Sequence, residues 1–577
     1  MNGGDIVASV LEARGVRQLF TLCGGHISPI LVGAKARGIH IVDVRDEASA
    51  VFAADAVARM TGVPGVAAVT AGPGLTNTLT AVENARLAES PLVVIGGATA
   101  TILRGRGALQ DIDQMALMKP AVKHAIAVTR VRHIGPAMEE AFRIAEDGIP
   151  GPVFVELPVD LLYDAEIVRD WYLKEAGGGA SLMGQLQTAY VRQHLFRVFR
   201  GSDTFVPEVP PLADPMDPYD KDIAAVAAML RKASRPVLVV GSQTLTRSHE
   251  AGAVAEAIRA LGVPVFLGGT ARGLLGKGCP FQFRHKRSAA LKKADVVIVC
   301  GFPFDFRMGY GMKINRDARI VQVNRDRDAL TKNRRPELAV HADAGRFLQA
   351  LASSLQPSPA SRWQDWVGTC AQGEAKRDAE IASMATAPND HVNPLWFFEQ
   401  LEARMADDSV LVVDGGDFVA TGAYILSPRR PLSWLDPGVF GTLGVGGGFA
   451  TGAACVRKGA EVWLIYGDGA SGYSLAEFDT YARHGLGVIA VIGNDASWAQ
   501  IARDQIKLLH DDVGTVLERT AYHTVAEGYG GVGIEVRTPE EVVPAIERAK
   551  ALAAQGKAVC INLWIGPTTF REGSISI

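Results

Sequence analysis

Short apolar segments that end in Gly, Asp or Asn recur along this chain, and this pattern constrains the fold more than any other feature. In the last third of the chain they read SVLVVDGG, AEVWLIYGDGA, GVIAVIGND and AVCINLWIG. Helical patterns separate them, which is typical of parallel β-sheets covered by helices on both faces. Ligands of such sheets bind beyond the carboxyl ends of the strands. We therefore expect an α/β fold with its functional residues at the strand ends.

The pattern occurs in three blocks, which predict three doubly wound parallel-sheet domains. Three domains agree with the usual domain size in a chain of 577 residues. We expect the domains over residues 1–168, 221–355 and 390–577. Two polar stretches with little periodicity, residues 169–220 and 356–389, are interpreted as linkers.

Composition argues against several classes of partner. The 59 basic and 62 acidic side chains give a net charge of -3, so no global field attracts nucleic acid or anionic lipid. The six cysteines are scattered without a C-x-x-C pair and are interpreted as reduced core residues. No apolar run approaches the roughly 18 to 20 residues of a membrane span, and no signal-peptide pattern is seen. We expect a cytoplasmic protein that acts on small molecules, with no membrane or nucleic-acid partner.

The strongest local signal is Gly467-Asp468-Gly469-Ala470 after the strand WLIY, followed by Asn494-Asp495 after the strand VIAVI. Asp495 follows Asp468 by 27 residues, the length of one strand-helix-strand unit, so both acids are expected at neighbouring strand ends. Carboxylate oxygens there can hold Mg²⁺ against a diphosphate while the glycines let backbone amides approach the phosphate oxygens. Gly-Asp-Gly alone is usually a simple turn, so the complete pattern carries the specificity.

The complete pattern resembles the thiamine diphosphate motif, in which Gly-Asp-Gly is followed by Asn-Asn. The resemblance implies that Asp468 and Asp495 bind Mg²⁺ through their side chains and Ser497 through its backbone carbonyl. Asp495 stands where the family usually has Asn, and the extra carboxylate predicts tighter Mg²⁺ binding or a nearby compensating cation. The other motif residues, which would contact the cofactor, are Gly467, Gly469 and Ala470.

A second signal lies at Arg45-Asp46-Glu47, where a strand gives way to a helix. In the thiamine-dependent decarboxylase and acetolactate synthase superfamily, an Arg-His-Glu sequence here supplies the glutamate that touches the cofactor's pyrimidine ring. Glu47 matches that glutamate, with Asp46 in place of His. A buried carboxyl that holds its proton would promote activation of the cofactor. The alternative is an ordinary acid that the helix dipole stabilises in a first turn.

Further segments match the same superfamily in the same order along the chain. The Gly-Pro-Gly turn at residues 72–74 would open a helix at the active-site dimer interface, and Leu443 would prop the cofactor into a bent shape. Together they imply a pyrimidine-binding domain, a central nucleotide-binding-like domain and a diphosphate-binding domain with a C-terminal lid. The remaining cofactor contacts that the resemblance implies are Gly25, Gly72, Asn77, Gly416, Asp417, Phe418 and Gly441.

Within that superfamily the sequence looks most like the 2-hydroxyacyl-CoA lyases, relatives of oxalyl-CoA decarboxylase. The segments 22–28, 107–111, 441–448 and 570–574 carry this similarity, which extends nearly end to end. It implies reversible cleavage of a 2-hydroxyacyl-CoA thioester to formyl-CoA and an aldehyde.

Two residues of the first block are candidates for work on that substrate. His26 would accept the proton of the substrate hydroxyl, since imidazole titrates near neutrality, and the alternative is a structural histidine in the turn. Gln110 would orient the thioester oxygen, and the alternative is an ordinary polar surface residue.

Two rival functions stay open. A true acetolactate synthase would condense 2-ketoacids and usually carries FAD in its middle domain. Here FRHKRSAALKK replaces the Met-His-Gly-type loop associated with FAD, although part of a second FAD-associated stretch remains at residues 301–307 (GFPFDFR). We therefore expect no FAD, and ADP or CoA at the central domain with Arg284, Lys286 and Arg287 as phosphate contacts, unless these are a solvated helix face.

The second rival is a non-catalytic scaffold that has kept the fold, although Glu47, Asp468 and Asp495 are all present and argue against it. Assembly follows from the resemblance as well. In this superfamily the first block of one subunit meets the third block of another, so we expect an active dimer or a dimer of dimers.

Overall fold

A computed structural model of the chain describes residues 2–175, 182–201, 205–208 and 215–573. The chain forms two compact units, one comprising residues 1–58 and 63–213 and the other residues 59–62 and 214–577. Among the described residues, no helix combines the length and the apolarity that a membrane span requires.

The first unit contains a six-stranded parallel sheet with the strand order β2-β1-β3-β4-β6-β5. Its strands are β1 (Gln18–Leu22), β2 (His40–Asp43), β3 (Gly65–Val69), β4 (Leu92–Ala98), β5 (His124–Ala127) and β6 (Pro152–Pro158). The helices are α1 (Gly3–Ala13), α2 (Ser28–Ala36), α3 (Glu47–Thr61), α4 (Pro73–Thr76), α5 (Leu79–Leu87), α6 (Gln114–Met118), α7 (Ile134–Glu146), α8 (Ala165–Glu175) and α9 (Leu182–Phe199). Every residue of β3, β4 and β6 is buried, as expected for the middle of a parallel sheet covered on both faces.

The second unit begins with a five-stranded parallel sheet of order β11-β10-β9-β7-β8. Its strands are β7 (Pro236–Val240), β8 (Val265–Leu267), β9 (Val296–Cys300), β10 (Arg319–Asn324) and β11 (Leu338–His341). The accompanying helices are α10 (Asp220–Lys232), α11 (Ala251–Leu261), α12 (Arg287–Lys293), α13 (Arg327–Thr331), α14 (Ala344–Ser354) and α15 (Gln364–Ala385). Separate hydrophobic clusters cover the two faces of this sheet.

A six-stranded parallel sheet of order β13-β12-β14-β15-β17-β16 completes the second unit. Its strands are β12 (Val410–Asp414), β13 (Trp434–Leu435), β14 (Val462–Gly467), β15 (Val488–Asn494), β16 (Val532–Val536) and β17 (Val559–Trp564). The helices are α16 (Pro394–Arg404), α17 (Asp417–Ile425), α18 (Val445–Val456), α19 (Asp468–Ser471), α20 (Glu477–His484), α21 (Ala499–Leu509), α22 (Tyr522–Gly528) and α23 (Pro539–Ala553). The three parallel sheets with flanking helices confirm the predicted α/β fold.

The structure differs from the sequence analysis in the two segments interpreted as linkers. Residues 169–220 contain α9 and most of α8, and their apolar side chains Val168, Tyr172, Val191 and Leu195 pack in one cluster. Residues 356–389 contain the long helix α15. Both segments are rich in polar and small helix-forming residues, and packing of a few apolar side chains is enough to fix such helices. Residues 176–181, 202–204 and 209–214 of the first segment lie outside the described residues.

Candidate active site

Asp468 and Asp495 lie at the carboxyl ends of two adjacent strands. Asp468 is the first residue of α19, directly after β14, and Asp495 follows β15. The two strands are paired in parallel up to Gly467 and Gly493, so the acids that follow them stand side by side. The prediction that one strand-helix-strand unit returns the second acid to the first is therefore confirmed.

The surroundings of these two carboxyl groups favour a bound cation. Burial raises the pKa of Asp468 to about 6 despite backbone amides that donate to it. Burial, followed by the charge of Asp468, raises the pKa of Asp495 to about 7. Oδ2 of Asp468 is buried and has no hydrogen-bond partner within residues 2–175, 182–201, 205–208 and 215–573. A divalent cation would remove both the repulsion and the unmet lone pairs, so the donor set fits Mg²⁺.

The compensating cation that Asp495 led us to expect is Arg519. Its charge lowers the pKa of Asp495, while its guanidinium donates to the carbonyls of Asn494 (2.5 Å) and Ile565 (3.2 Å). Asp417 adds a third carboxylate whose charge raises the pKa of Asp495. Asp417 is itself ion-paired with Arg503. The site thus holds three carboxyl groups, and two of them have an arginine nearby: Arg519 for Asp495 and Arg503 for Asp417.

The glycines around Asp468 leave room that side chains would fill. Gly415 has a φ of +117°, and a Cβ added there would lie 2.8 Å from Cβ of Ala470 and 3.0 Å from the amide nitrogen of Gly467. A Cβ on Gly469 would overlap the ring of Trp498 at 2.5 Å. This close approach brings the first turn of α17, which begins after Gly416, against the Gly467–Ala470 turn. Such a pair of helix starts is a suitable cradle for a diphosphate.

Two residues predicted at this site have other contacts. The ring of Phe418 is buried in the core, 4.6 Å from the ring of Phe398, so only its backbone could face a cofactor. Ser497 uses its hydroxyl to donate to the carbonyl of Thr515 at 3.2 Å, which anchors the loop after β15. Asn494 is fully buried and donates to Thr520 and Asn562, so its role is to hold strand ends together.

Gly441 and Leu443 precede the glycine-rich helix α18. Gly441 has a φ of +65° with open space where a side chain would stand, and Leu443 is half-buried. The buried carboxylate of Asp414 accepts hydrogen bonds from the amides of Gly444 (3.1 Å) and Gly446 (2.8 Å). Burial nevertheless raises the pKa of Asp414 to about 7. Asp414 thus fixes the start of α18 and the position of the loop that carries Leu443.

Glu47 occupies a sheltered position at the carboxyl edge of the sheet in the first unit. It is the first residue of α3 and is 7% exposed. Nδ2 of Asn77 donates to its Oε2 at 3.0 Å, so two residues that the resemblance assigned to the cofactor contact each other. Oε1 lies 3.3 Å from where a Cβ on Gly74 would stand. Glu47 is therefore a buried acid against the Gly-Pro-Gly turn, and an exposed first-turn acid is excluded.

His26 lies near the same turn. Nδ1 of His26 is 3.1 Å from the hydroxyl of Thr70. The side chain of Thr70 borders the space where a Cβ on Gly74 would stand, and Glu47 borders the same space. Burial lowers the pKa of His26, so the imidazole is neutral at physiological pH. A neutral imidazole can accept a proton, which a base for a substrate hydroxyl must do. The carbonyl of the neighbouring Gly25 accepts a hydrogen bond from Tyr163 at 3.4 Å.

The sequence analysis missed Gln114, which organises the turn. Its Oε1 accepts the amide hydrogen of Gly72 at 2.9 Å, and its Nε2 donates to Gly97 (3.0 Å) and to the buried Glu156 (3.1 Å). Gln110 is half-buried and has a φ of +64°, and its Cβ lies 2.9 Å from where a Cβ on Gly72 would stand. Gly72 itself has a φ of +62°, so only glycine fits there easily. A buried Gln directly after an Asp helix cap was the available signal for Gln114.

The basic residues predicted to contact a phosphate at the central domain are largely engaged with the protein. Arg284 donates through Nη1 to the carbonyl of Ile425 (2.7 Å) and the hydroxyl of Ser427 (2.9 Å). Lys286 lies 3.8 Å from Glu380. Arg287 begins α12 and donates to the carbonyl of Arg307 at 2.5 Å. In residues 301–307, the stretch that resembles an FAD-associated segment, Asp305 caps the following turn and pairs with Arg307.

Comparison with known protein families identifies the class. Residues 1–117 match the model for the N-terminal thiamine pyrophosphate (TPP) binding domain of thiamine pyrophosphate enzymes. Residues 223–351 match the central domain and residues 414–563 the C-terminal TPP binding domain. The chain therefore belongs to the thiamine pyrophosphate enzyme family, and thiamine diphosphate is its cofactor.

Within that family, individual relatives align with the whole chain. A 2-hydroxyacyl-CoA lyase 2 from Danio rerio is 47% identical over 100% of this chain and 93% of the relative. The Homo sapiens 2-hydroxyacyl-CoA lyase 2 is 45% identical over 100% of this chain and 92% of its own length. A probable acetolactate synthase from Mycobacterium bovis is 31% identical over 98% of this chain and 96% of the relative.

Proposed function

We propose that the chain is a 2-hydroxyacyl-CoA lyase, which cleaves a 2-hydroxyacyl-CoA thioester to formyl-CoA and an aldehyde and catalyses the reverse condensation. The observation that carries the proposal is the neutral imidazole of His26, which shares the Gly-Pro-Gly turn with the buried Glu47. The full length of the chain that carries His26 aligns with proteins named 2-hydroxyacyl-CoA lyase 2. Condensation of 2-ketoacids would not require a base for a substrate hydroxyl at the bond that breaks.

Two sets of residues would hold the cofactor. Asp468 and Asp495 would bind Mg²⁺ with the backbone carbonyl of Ser497, and the turns at Gly416–Asp417 and Gly467–Ala470 would bind the diphosphate. Glu47 and Asn77 would contact the pyrimidine ring. When bound, thiamine diphosphate supplies a nucleophilic carbon and an electron sink for the bond next to the carbonyl.

The protein's own work is proton handling and orientation. His26 accepts the proton of the substrate's 2-hydroxyl as the carbon-carbon bond breaks and the aldehyde leaves. Burial keeps the pKa of His26 low, so the imidazole is ready to accept a proton near neutral pH. Gln110, next to Gly72, would orient the thioester oxygen.

We extend the proposal to the assembly, the location and a further ligand. The resemblance places Glu47 of one subunit with Asp468 of another, which makes a dimer the minimal active unit and a dimer of dimers the expected form. All six cysteines are free, which favours a reducing compartment such as the cytoplasm. ADP or CoA, and not FAD, would bind at the strand ends of the central domain, where Gly241 and Gly301 stand.

A product assay tests the proposed reaction. The protein with thiamine diphosphate and Mg²⁺ is incubated in parallel with a 2-hydroxyacyl-CoA and with pyruvate. We expect formyl-CoA and aldehyde in equal amounts from the first substrate and no acetolactate from the second. If acetolactate forms and the 2-hydroxyacyl-CoA is not cleaved, the protein is an acetolactate synthase and the proposal is wrong. If neither product forms and the protein binds no cofactor, a non-catalytic scaffold is favoured.

A further inference from the structure

A cluster of metal-ligating side chains lies away from the cofactor-binding carboxylates. It consists of His285, in the loop before α12, and of Glu374 and Asp378 on α15. Their ligand atoms all lie within 4.8 Å of one another. The two acids are four residues apart, so they project from the same face of the helix toward the loop that carries the histidine. A pair of ligands at this spacing with a third from a facing loop is a usual way to build a metal site.

In the part of the chain that the structure describes, neither ring nitrogen of His285 has a hydrogen-bond partner. The residue is 4% exposed, and both Nδ1 and Nε2 are buried without a bond. Nε2 nevertheless lies 3.3 Å from Oδ1 of Asp378. A buried imidazole with two unsatisfied nitrogens is costly in a folded protein, which indicates that a further group completes this site.

The distances and the remaining lone pairs suit a small divalent ion. Ligands about 2.0 to 2.1 Å from a tetrahedral zinc ion are separated by about 3.3 Å, close to the gap between His285 and Asp378. Glu374 accepts hydrogen bonds from the amides of Arg284 (3.0 Å to Oε1 and 3.2 Å to Oε2) and His285 (2.8 Å to Oε2), and this fixes the carboxylate while Oε1 keeps a free lone pair. Asp378 is 49% exposed, which leaves an entry path and a place for water as the fourth ligand.

The cations around the cluster leave room for the ion. The guanidinium of Arg284 comes no closer than 3.6 Å to Glu374 and 3.7 Å to Asp378, and its Nη1 is held by Ile425 and Ser427. Arg377 donates to Glu380 at 2.9 Å. Neither arginine therefore makes a hydrogen bond that would satisfy His285 or occupy the space between the three ligands.

We propose that His285, Glu374 and Asp378 bind one divalent transition-metal ion of the zinc type, separate from the Mg²⁺ of the cofactor. One nitrogen and two oxygen donors favour Zn²⁺ or Co²⁺ over Mg²⁺, which prefers oxygen ligands alone. The ring of Tyr424 stacks on His285 at 5.7 Å, and Phe570 packs edge-on to Tyr424 at 5.5 Å. The ion thus joins α15 and the central domain to α17 and the C-terminal segment, and its role is structural.

Metal titration tests this site independently of the lyase reaction. The full-length protein is treated with a chelator, supplied with saturating thiamine diphosphate and Mg²⁺, and titrated with Co²⁺ while its visible spectrum is recorded. We expect one Co²⁺ per chain, with the intense absorption of a four-coordinate ion, and its displacement by Zn²⁺. Elemental analysis after Zn²⁺ loading should then give one zinc per chain.

Matched variants locate the ion. His285→Ala and Asp378→Asn should each weaken Co²⁺ binding at least tenfold, the scale on which changes near a metal site act. Glu380→Gln, on the same helix, and His249→Ala, at an exposed histidine 3.7 Å from Glu250, should leave it unchanged. Circular dichroism of each variant verifies folding. Wild-type protein that binds no Co²⁺ beyond the cofactor site, or binding that survives both cluster variants, would overturn the proposal.

Discussion

Glu47 in the first unit and the pair Asp468 and Asp495 in the second are buried carboxyl groups at strand-to-helix junctions, yet their surroundings differ. Glu47 is a single acid that accepts a hydrogen bond from the neutral amide of Asn77. Burial raises the pKa of both Asp468 and Asp495, and the charges of Asp468 and Asp417 raise that of Asp495 further. The first environment suits an acid that exchanges a proton with a ligand. The second is stable only with a cation or with bound protons.

The largest expected effect comes from the cation-binding side of this comparison. Asp468→Asn removes the carboxylate whose Oδ2 has no hydrogen-bond partner among the described residues. We expect turnover to fall at least ~10³-fold and Mg²⁺-dependent cofactor binding to be lost, because the metal loses a charged ligand. Steady-state kinetics and calorimetric titration with thiamine diphosphate measure both. Asp317→Asn, at an exposed position, is the control, and near-normal cofactor binding by Asp468→Asn would show that the metal lies elsewhere.

Glu47→Gln should separate chemistry from binding. The amide keeps the shape and the contact with Asn77 but cannot exchange a proton with the cofactor, so we expect turnover to fall about 10²- to 10³-fold with the cofactor Kd changed little. Glu166→Gln, an exposed acid in the first turn of α8, is the matched control for a purely helix-dipole role. If Glu47→Gln and Glu166→Gln lowered turnover equally and only slightly, Glu47 would be an ordinary acid that the helix dipole stabilises.

His26→Ala is expected to act on the substrate alone. Loss of the base for the 2-hydroxyl should lower lyase turnover about 10²-fold while thiamine diphosphate still binds. His133→Ala, at an exposed histidine in the first unit, should behave as wild type. Wild-type kinetics in His26→Ala would remove this histidine from the mechanism, and loss of cofactor binding would make it structural.

The smallest effect concerns pH and Asp495. Both folded pKa values, about 6 for Asp468 and about 7 for Asp495, lie above the usual value near 3.9 for an unfolded Asp. The folded cofactor-free chain therefore holds more protons than the unfolded chain, and its stability falls as pH rises from about 4 through 7. We expect Tm to drop by a few degrees between pH 5 and 8, because each folded acid releases in this range a proton that the unfolded chain has already lost at pH 5.

Cofactor binding should remove the contribution of both acids to that pH dependence, and Asp495→Asn should remove that of Asp495 alone, because burial still raises the pKa of Asp468. Mg²⁺ with thiamine diphosphate neutralises the pair, and Asp495→Asn removes one of the two repelling charges and restores the residue that is usual in the family. Differential scanning calorimetry at each pH compares the three samples. An identical fall of Tm in Asp495→Asn would show that Asp495 does not contribute to it.

Much of the fold and of the cation site could be predicted from the sequence because local patterns encode them. Buried parallel strands such as β14 and β15 are continuous apolar runs, and the residues after them must lie at the sheet's carboxyl edge. The hydrogen bonds of Gln114 and the core position of Phe418 could not be predicted, because they depend on residues distant in sequence. Helices α9 and α15 were missed since their few buried residues leave only a weak periodic signal.

Mixed subunits test most directly whether Glu47 and Asp468 serve one cofactor from two chains. Glu47→Gln and Asp468→Asn subunits, each inactive alone, are co-expressed with different tags, and the mixed dimers are purified. Because one of the two sites in a mixed dimer would contain both native acids, we predict activity of about half that of the wild-type dimer. Mixed dimers as inactive as either parent would contradict a site shared between subunits.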